Sequence, residues 1–377
     1  MRDVIVIGLG AMGSMAAWQA AARGASVLGV EQFSVGHARG SSHGGSRIYR
    51  QILFEGKEYV PLARRTLDLI KELERDGERL FEPSGGLVIG TDGGELIEDA
   101  LASAAAGEVA YEWLTPDDMR RRYPQHAVLD DDVAIFEPGA GVLRPEACVT
   151  AAVRAARQAG ADIRTGVPVS ELRVEDGRVS VSVGGERFTA ARVILASGAW
   201  TLDLLPEVSL PLRTQRSCLS WFKARGDAAE YRPDRFPTFV RESHAAHGWG
   251  IPDVDGAGVK VGISGPQAKK AWLERPEDNW RDPSPEDLAP IEEYCAAAFP
   301  GLVPRVSKAM ACMNSKSPDG DFVIGPVGTG GRVVFAGGFS GHGFKHAAAV
   351  GQICAQLALD GGSEFDLSAF SPTRFGA

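Results

Sequence analysis

Val4-Ile5-Val6-Ile7-Gly8-Leu9-Gly10-Ala11-Met12-Gly13 opens the chain, and Glu31 follows eighteen residues after Gly13. The apolar run reads as a buried strand, Ala11–Arg23 as the helix after it, and Gly24 as that helix's C′ residue. Ser26–Val30 reads as the next strand, ending at the acid. Gly8 permits a tight turn, Gly10 lets backbone approach a pyrophosphate, and Gly13 lets helix and strand pack closely. The helix N-terminus offers unpaired N–H groups and the positive end of its dipole to phosphates. Glu31 is placed to accept hydrogen bonds from ribose hydroxyls and disfavours a 2′-phosphate. The unit is expected to hold an adenine dinucleotide; the motif leaves NAD and FAD equally open.

The 377 residues suffice for one large unit or two intertwined domains. With 44% hydrophobic and 24% charged residues, the composition is that of a globular protein. A net charge of −9 argues against nucleic acid or an anionic membrane as the main partner. No apolar run approaches a membrane span, and the N-terminus reads as a core strand, not a signal peptide. The five cysteines, Cys148, Cys218, Cys295, Cys312 and Cys354, lack CxxC or metal-type spacing. Their odd number and the missing export signal suggest free thiols in a reducing cytoplasm.

Further along, Phe33–Arg50 is rich in Gly, Ser, His and Arg with weak periodicity, and Glu58–Arg75 reads as an amphipathic helix. Helices are also expected after Thr115-Pro116, over Arg144–Gln158 and over about Glu286–Ala298. Val167–Val174 and Val179–Val183, joined at Asp176-Gly177, begin a β-meander. Val193–Trp200 is a buried strand ending in small residues, which allows a ligand close to the backbone. Pro211–Val261 reads as part of a second, mostly antiparallel domain. Val333–Gly338 is a last core strand, leading into Phe339–Lys345 and an Ala-rich helix.

The expected fold is α/β (α+β overall): a discontinuous doubly wound dinucleotide domain from 1–83, 142–212 and 310–377, with a β-rich catalytic domain from 84–141 and 213–309. This discontinuity disfavours a simple NAD dehydrogenase and favours a flavoprotein.

At Ala311-Cys312-Met313, Phe322–Gly325 and Gly338–Lys345, and again at Gly40–Gly44 and Arg47–Arg50, the chain resembles a known family. It is similar to the monomeric sarcosine oxidase and N-methyltryptophan oxidase group of the glycine/D-amino-acid oxidase flavoproteins. The resemblance implies FAD, joined through the Cys312 sulfur to the flavin 8α carbon. Alone, Cys312 would read as a buried small hydrophobe. Cofactor contacts are expected at Gly8, Gly10, Ala11, Met12, Gly13, Glu31 and Gln32, and at Ser41, Ser42, His43 and Arg47. The middle of the chain adds Val167, Ala196, Gly198 and Trp200. The C-terminal part adds Cys312, Gly338, Phe339, Gly341, His342, Gly343, Phe344 and Lys345.

By the same resemblance, Arg50 and Lys345 bind the substrate carboxylate, Arg47 lies over the flavin, and Lys260 activates oxygen. Lys260 by itself reads as a strand-edge lysine. Oxidases acting on sarcosine carry histidine and tyrosine where this chain has Ser264 and Asn314, and tyrosine is usual where it has Trp249. These substrate-bordering changes put sarcosine in doubt and favour another N-substituted or cyclic amino acid. The expected reaction moves hydride to flavin, then electrons to O2, in a monomeric enzyme. A flavin dehydrogenase or ring-desaturating enzyme with another acceptor, and a catalytically inactive flavoprotein, are the alternatives. His244 and His247 lack a third ligand nearby and read as an exposed loop, with no metal.

Overall fold

The computed structural model describes all residues except 75–76, 206–207, 244–245, 265–270 and 377. Two large sheets organise them, and the first grows from the opening strand. Arg2–Ile7 lies between Val27–Glu31 and Glu186–Leu195, parallel to both. Asp162–Thr165 and Val333–Gly337 extend the parallel run on either side. Val4 and Val6 enter one apolar cluster, Ile5 and Ile7 another. Burial on both faces is why this strand reads as continuously apolar.

Helices Ala11–Ala22, Pro145–Gln158 and Ala347–Asp360 pack on one face. The meander Val169–Glu175, Arg178–Val183 and the start of Glu186–Leu195 supplies the other layer, and its valines share the cluster of Ile5. The expected helix at Glu58–Arg75 spans Val60–Leu73, its buried leucines facing the same core. Residue 75 lies outside the described residues.

Among the described residues the second sheet has nine strands. Its one parallel pair among the described residues joins Thr238–Ser243 to Gly86–Thr91; the other pairings are antiparallel. Val259–Ile263, which carries Lys260, is interior, flanked by Arg213–Phe222 and Ala246–Ile251. The strand-edge reading of Lys260 is thereby corrected.

Lys308–Lys316 pairs with Arg213–Phe222 along its whole length, setting Cys312 opposite Ser217. The domain boundary expected at 310 therefore falls inside a strand of the second sheet, because that ladder is continuous. A small third sheet, from Arg47–Tyr49, Gly141–Leu143 and Phe81–Pro83, includes a strand within the segment of weak periodicity, Phe33–Arg50.

Candidate active site

The turn after the first strand is packed too tightly for side chains. Gly8 has φ +84°, and a Cβ at Gly13 would lie 1.8 Å from the Gly8 carbonyl oxygen. The helix beginning at Ala11 has Gly10 at its N-cap, which offers no side chain to cap it. Its first turn opens on a cavity of about 280 Å³ lined by Gly8–Met12, where Ala11 N donates to Ser42 Oγ at 3.1 Å. Glu31 lines the same cavity; its oxygens accept from Leu9 N at 2.9 Å and Phe33 N at 3.0 Å. Burial opposes ionisation of Glu31, but His37 and these two amides outweigh it and hold the carboxyl below its ordinary value. Helix-start amides and an ionised carboxylate lining one cleft match a pyrophosphate and a ribose.

This cleft meets a second cavity of about 730 Å³, and Arg47, Asn314, Ser340, Gly341 and Phe344 line both. Cys312 opens on the second. Burial alone would push its thiol up; the adjacent His43 ring, then Arg47 and Lys260, outweigh that and bring it down to about 7. The thiols of Cys218, Cys295 and Cys354 go the other way, pushed by burial up to about 11, 12 and 12. Cys312 is thus in substantial part thiolate at neutral pH. Among the described residues, neither ring nitrogen of buried His43 makes a fully formed hydrogen bond.

Lys260 lies under the loop that follows His43. Its Nζ donates to Gly44 O at 3.1 Å and Ser46 O at 2.8 Å. Ser46 O also accepts from Arg47 Nη1 at 2.7 Å. Burial, then the Arg47 charge, holds Lys260 well below the ordinary lysine range.

On the wall of the second cavity, Arg50 and Lys345 converge on Glu55. Arg50 Nη2 lies 2.9 Å from both carboxylate oxygens and Lys345 Nζ 2.9 Å from one. Burial penalises the Glu55 charge, but Arg50 and then Lys345 hold it well below its ordinary value. Burial lowers Lys345 to about 8, with Glu55 opposing and Arg50 adding to the fall. His342 is driven down to about 4 by burial and by Lys345, so it is neutral. At neutral pH the group carries two cations and one anion, leaving one positive charge for an incoming carboxylate.

Residues 3–357 match the family described as FAD dependent oxidoreductase. The chain belongs to that family. It is 36% identical to a monomeric sarcosine oxidase of Streptomyces avermitilis, covering 100% of this chain and 98% of the relative. It is 33% identical to an N-methyl-L-tryptophan oxidase of Yersinia pestis, with 99% of each covered. Its fold matches NikD, an unusual amino acid oxidase essential for nikkomycin biosynthesis, with TM-score 0.84, 25% identity and coverage of 98% and 97%. This protein is therefore an FAD-dependent oxidoreductase acting on CH–NH bonds of an amine or amino acid.

Of the residues expected at FAD, all but Gly13, His43, Val167, Cys312, His342 and Lys345 line the first cavity. Gly13 lies beneath the turn, and Val167 packs in the meander core while Val169 lines the cleft. Cys312, His342 and Lys345 line the second cavity with Arg47, Arg50, Trp249, Ser264 and Asn314. Lys260 is buried beneath the Gly44–Ser46 loop and lines neither.

His247 is on the strand Ala246–Ile251, not in a loop, and its Nδ1 sits 2.7 Å from Glu242. His244 lies outside the described residues, among which no metal-holding cluster occurs. Glu55, His37 and Glu146 were not singled out from the sequence. The only local hint was an acid five residues after Arg50.

Proposed function

We propose that this enzyme oxidises an N-substituted or cyclic amino acid larger than sarcosine, bound by its carboxylate at Arg50 and Lys345. The observation that carries this is the convergence of both cations on one carboxylate, Glu55, at the wall of a 730 Å³ cavity adjoining the dinucleotide cleft. The substrate carboxylate takes the positive charge that Glu55 leaves uncompensated. Trp249, Ser264 and Asn314 border the amine end and set its size and polarity. The relatives named for sarcosine and N-methyl-L-tryptophan support a secondary amine.

When bound, FAD would supply a two-electron acceptor for the hydride on the carbon beside the amine, with O2 as the final oxidant, so that the products would be an imine and H2O2. Arg50 and Lys345 orient that carbon. Arg47 supplies positive charge where electrons accumulate, and Lys260, whose proton affinity burial has lowered, adds its own charge when that accumulating negative charge draws a proton to it. Cys312, its thiol lowered by His43, would hold the flavin through a bond from its sulfur to the 8α carbon, formed with loss of the thiol proton and an 8α proton while the two electrons pass through the flavin to O2. The unpaired state of all five cysteines supports a reducing, cytoplasmic setting.

Anaerobic mixing with N-methyl, cyclic and D-amino acids tests the reading. Flavin bleaching is expected with N-substituted carboxylates and not with the same amines lacking the carboxylate; equal bleaching by both refutes it. The cavity's volume and the Ser264 and Asn314 positions also suit a ring-desaturating reaction with another acceptor. A peroxide yield far below one per turnover in air supports that second reading.

A further inference from the structure

The Gly44–Ser46 loop holds Lys260 and Arg47, and its own anchor lies outside the two cavities. Glu146, in the first turn of Pro145–Gln158, turns its carboxylate into this loop. One oxygen accepts from Gly44 N at 2.6 Å and Gly45 N at 3.1 Å, and the other from Gly45 N at 3.1 Å. On the opposite side, the Gly44 and Ser46 carbonyls face Lys260 Nζ, and Ser46 O also receives Arg47. His43, next to Gly44, lies against Cys312. The loop has little room to move: a Cβ at Gly44 would come 2.4 Å from Leu219 Cδ1. Two residues before Glu146, Arg144 pairs with Asp255 at 2.5 Å and reaches Val254 O at 3.3 Å, tying the helix start to the loop between Ala246–Ile251 and Val259–Ile263.

We propose that Glu146 is a positioning residue: by gripping the Gly44 and Gly45 amides, it aims the carbonyls that hold Lys260 and Arg47 and seats His43 against Cys312. A carboxylate accepting from successive backbone N–H groups is a strong, directional anchor. The competing role for an acid in a helix's first turn is to stabilise the helix dipole, which would affect stability alone. The proposal rests on the roles given above to Lys260 and Cys312, so the test carries separate controls for each.

The primary readout is Cys312 alkylation by iodoacetamide against pH, in full-length protein produced without flavin and carrying Cys218→Ala to remove the other cavity thiol. In Glu146→Gln the alkylation midpoint should rise by about one pH unit, towards that of His43→Asn. In flavin-loaded protein, reoxidation by O2 should slow by at least about tenfold, approaching Lys260→Met. Glu146→Asp should fall between. If Lys260→Met reoxidises normally, the oxygen role of Lys260 fails by itself, and the alkylation profile still judges Glu146. A wild-type alkylation midpoint in folded Glu146→Gln overturns the proposal, whether or not thermal stability falls. If Glu146→Gln does not fold, a wild-type midpoint in Glu146→Asp overturns it equally.

Discussion

Replacing Glu55 by Gln distinguishes a substrate clamp from a purely structural ion pair. Glu55 accepts three contacts of 2.9 Å, two from Arg50 and one from Lys345, in surroundings almost closed to solvent. Glu55→Gln keeps the shape and one acceptor but removes the anion, taking the group from one net positive charge to two for as long as Lys345 keeps its proton. Removing one partner of a buried pair costs about 3–5 kcal/mol; the retained amide oxygen puts this case at the lower end, about 3 kcal/mol. Domains commonly have about 5–15 kcal/mol of stability, so the variant should fold with a clearly lowered urea midpoint. Lys345, held at about 8 partly by Glu55, should fall further. An added carboxylate that docks between Arg50 and Lys345 should reverse these losses, because it meets no internal competitor.

The assay titrates benzoate against the flavin absorption spectrum and repeats the urea curve with benzoate present. Benzoate should bind at least about tenfold more tightly to Glu55→Gln than to wild type, equivalent to about 1.4 kcal/mol. At a hundred times its Kd it should restore about 2.7 kcal/mol, nearly the whole deficit. An unchanged or weaker benzoate Kd, with the stability loss present, would show that the pair is structural and that the substrate carboxylate docks elsewhere.

Cys312→Ala should release all flavin to the supernatant on acid precipitation, whereas wild type keeps it in the pellet; free flavin from wild type refutes the covalent assignment. Gly13→Ala should lose FAD and several kcal/mol of stability, because its Cβ would lie 1.8 Å from the Gly8 oxygen; a yellow protein with a wild-type melting curve contradicts this. Lys345 gives a pH signature: carboxylate affinity should fall as pH rises through about 8, where the folded lysine loses its charge. Between about 8 and the ordinary 10.5 the unfolded chain binds the extra proton, so this group makes stability rise with pH there, measurable in urea titrations. The double change Ser264→His with Asn314→Tyr should raise kcat/KM for sarcosine by about tenfold or more; no gain would mean these positions do not govern the amine end.

The dinucleotide grip was legible because its physics is local. A strand, three glycines and an acid fall within one βαβ unit, and the positive φ of Gly8 and the contact at Gly13 are what those residue types implied. The meander and the helices with proline at their first positions were legible for the same reason. Glu55 was not, because its role depends on Lys345, 290 residues away. Glu146 meets Gly44 across 102 residues, and no periodicity encodes such a meeting. The boundary at 310 cut Lys308–Lys316 because a strand with a continuous apolar run, Ala309–Met313, carries no mark of which sheet it will join. Residues 47–49 form a strand without apolar periodicity because Gly141–Leu143 supplies a ladder partner.

That placement of Lys308–Lys316 has a mechanical consequence. The cleft proposed for the ADP end of the cofactor is lined by the turns of the first sheet, while Cys312 hangs from the second. A thioether at Cys312 would therefore work as a rivet between two bodies of the same chain, shortening the excursions open to the denatured ensemble much as a long-range disulfide does. Forming that bond would then lock the relative orientation of substrate wall and cofactor cleft. Chains that had not yet acquired the bond would be the ones whose halves separate first under heat or protease.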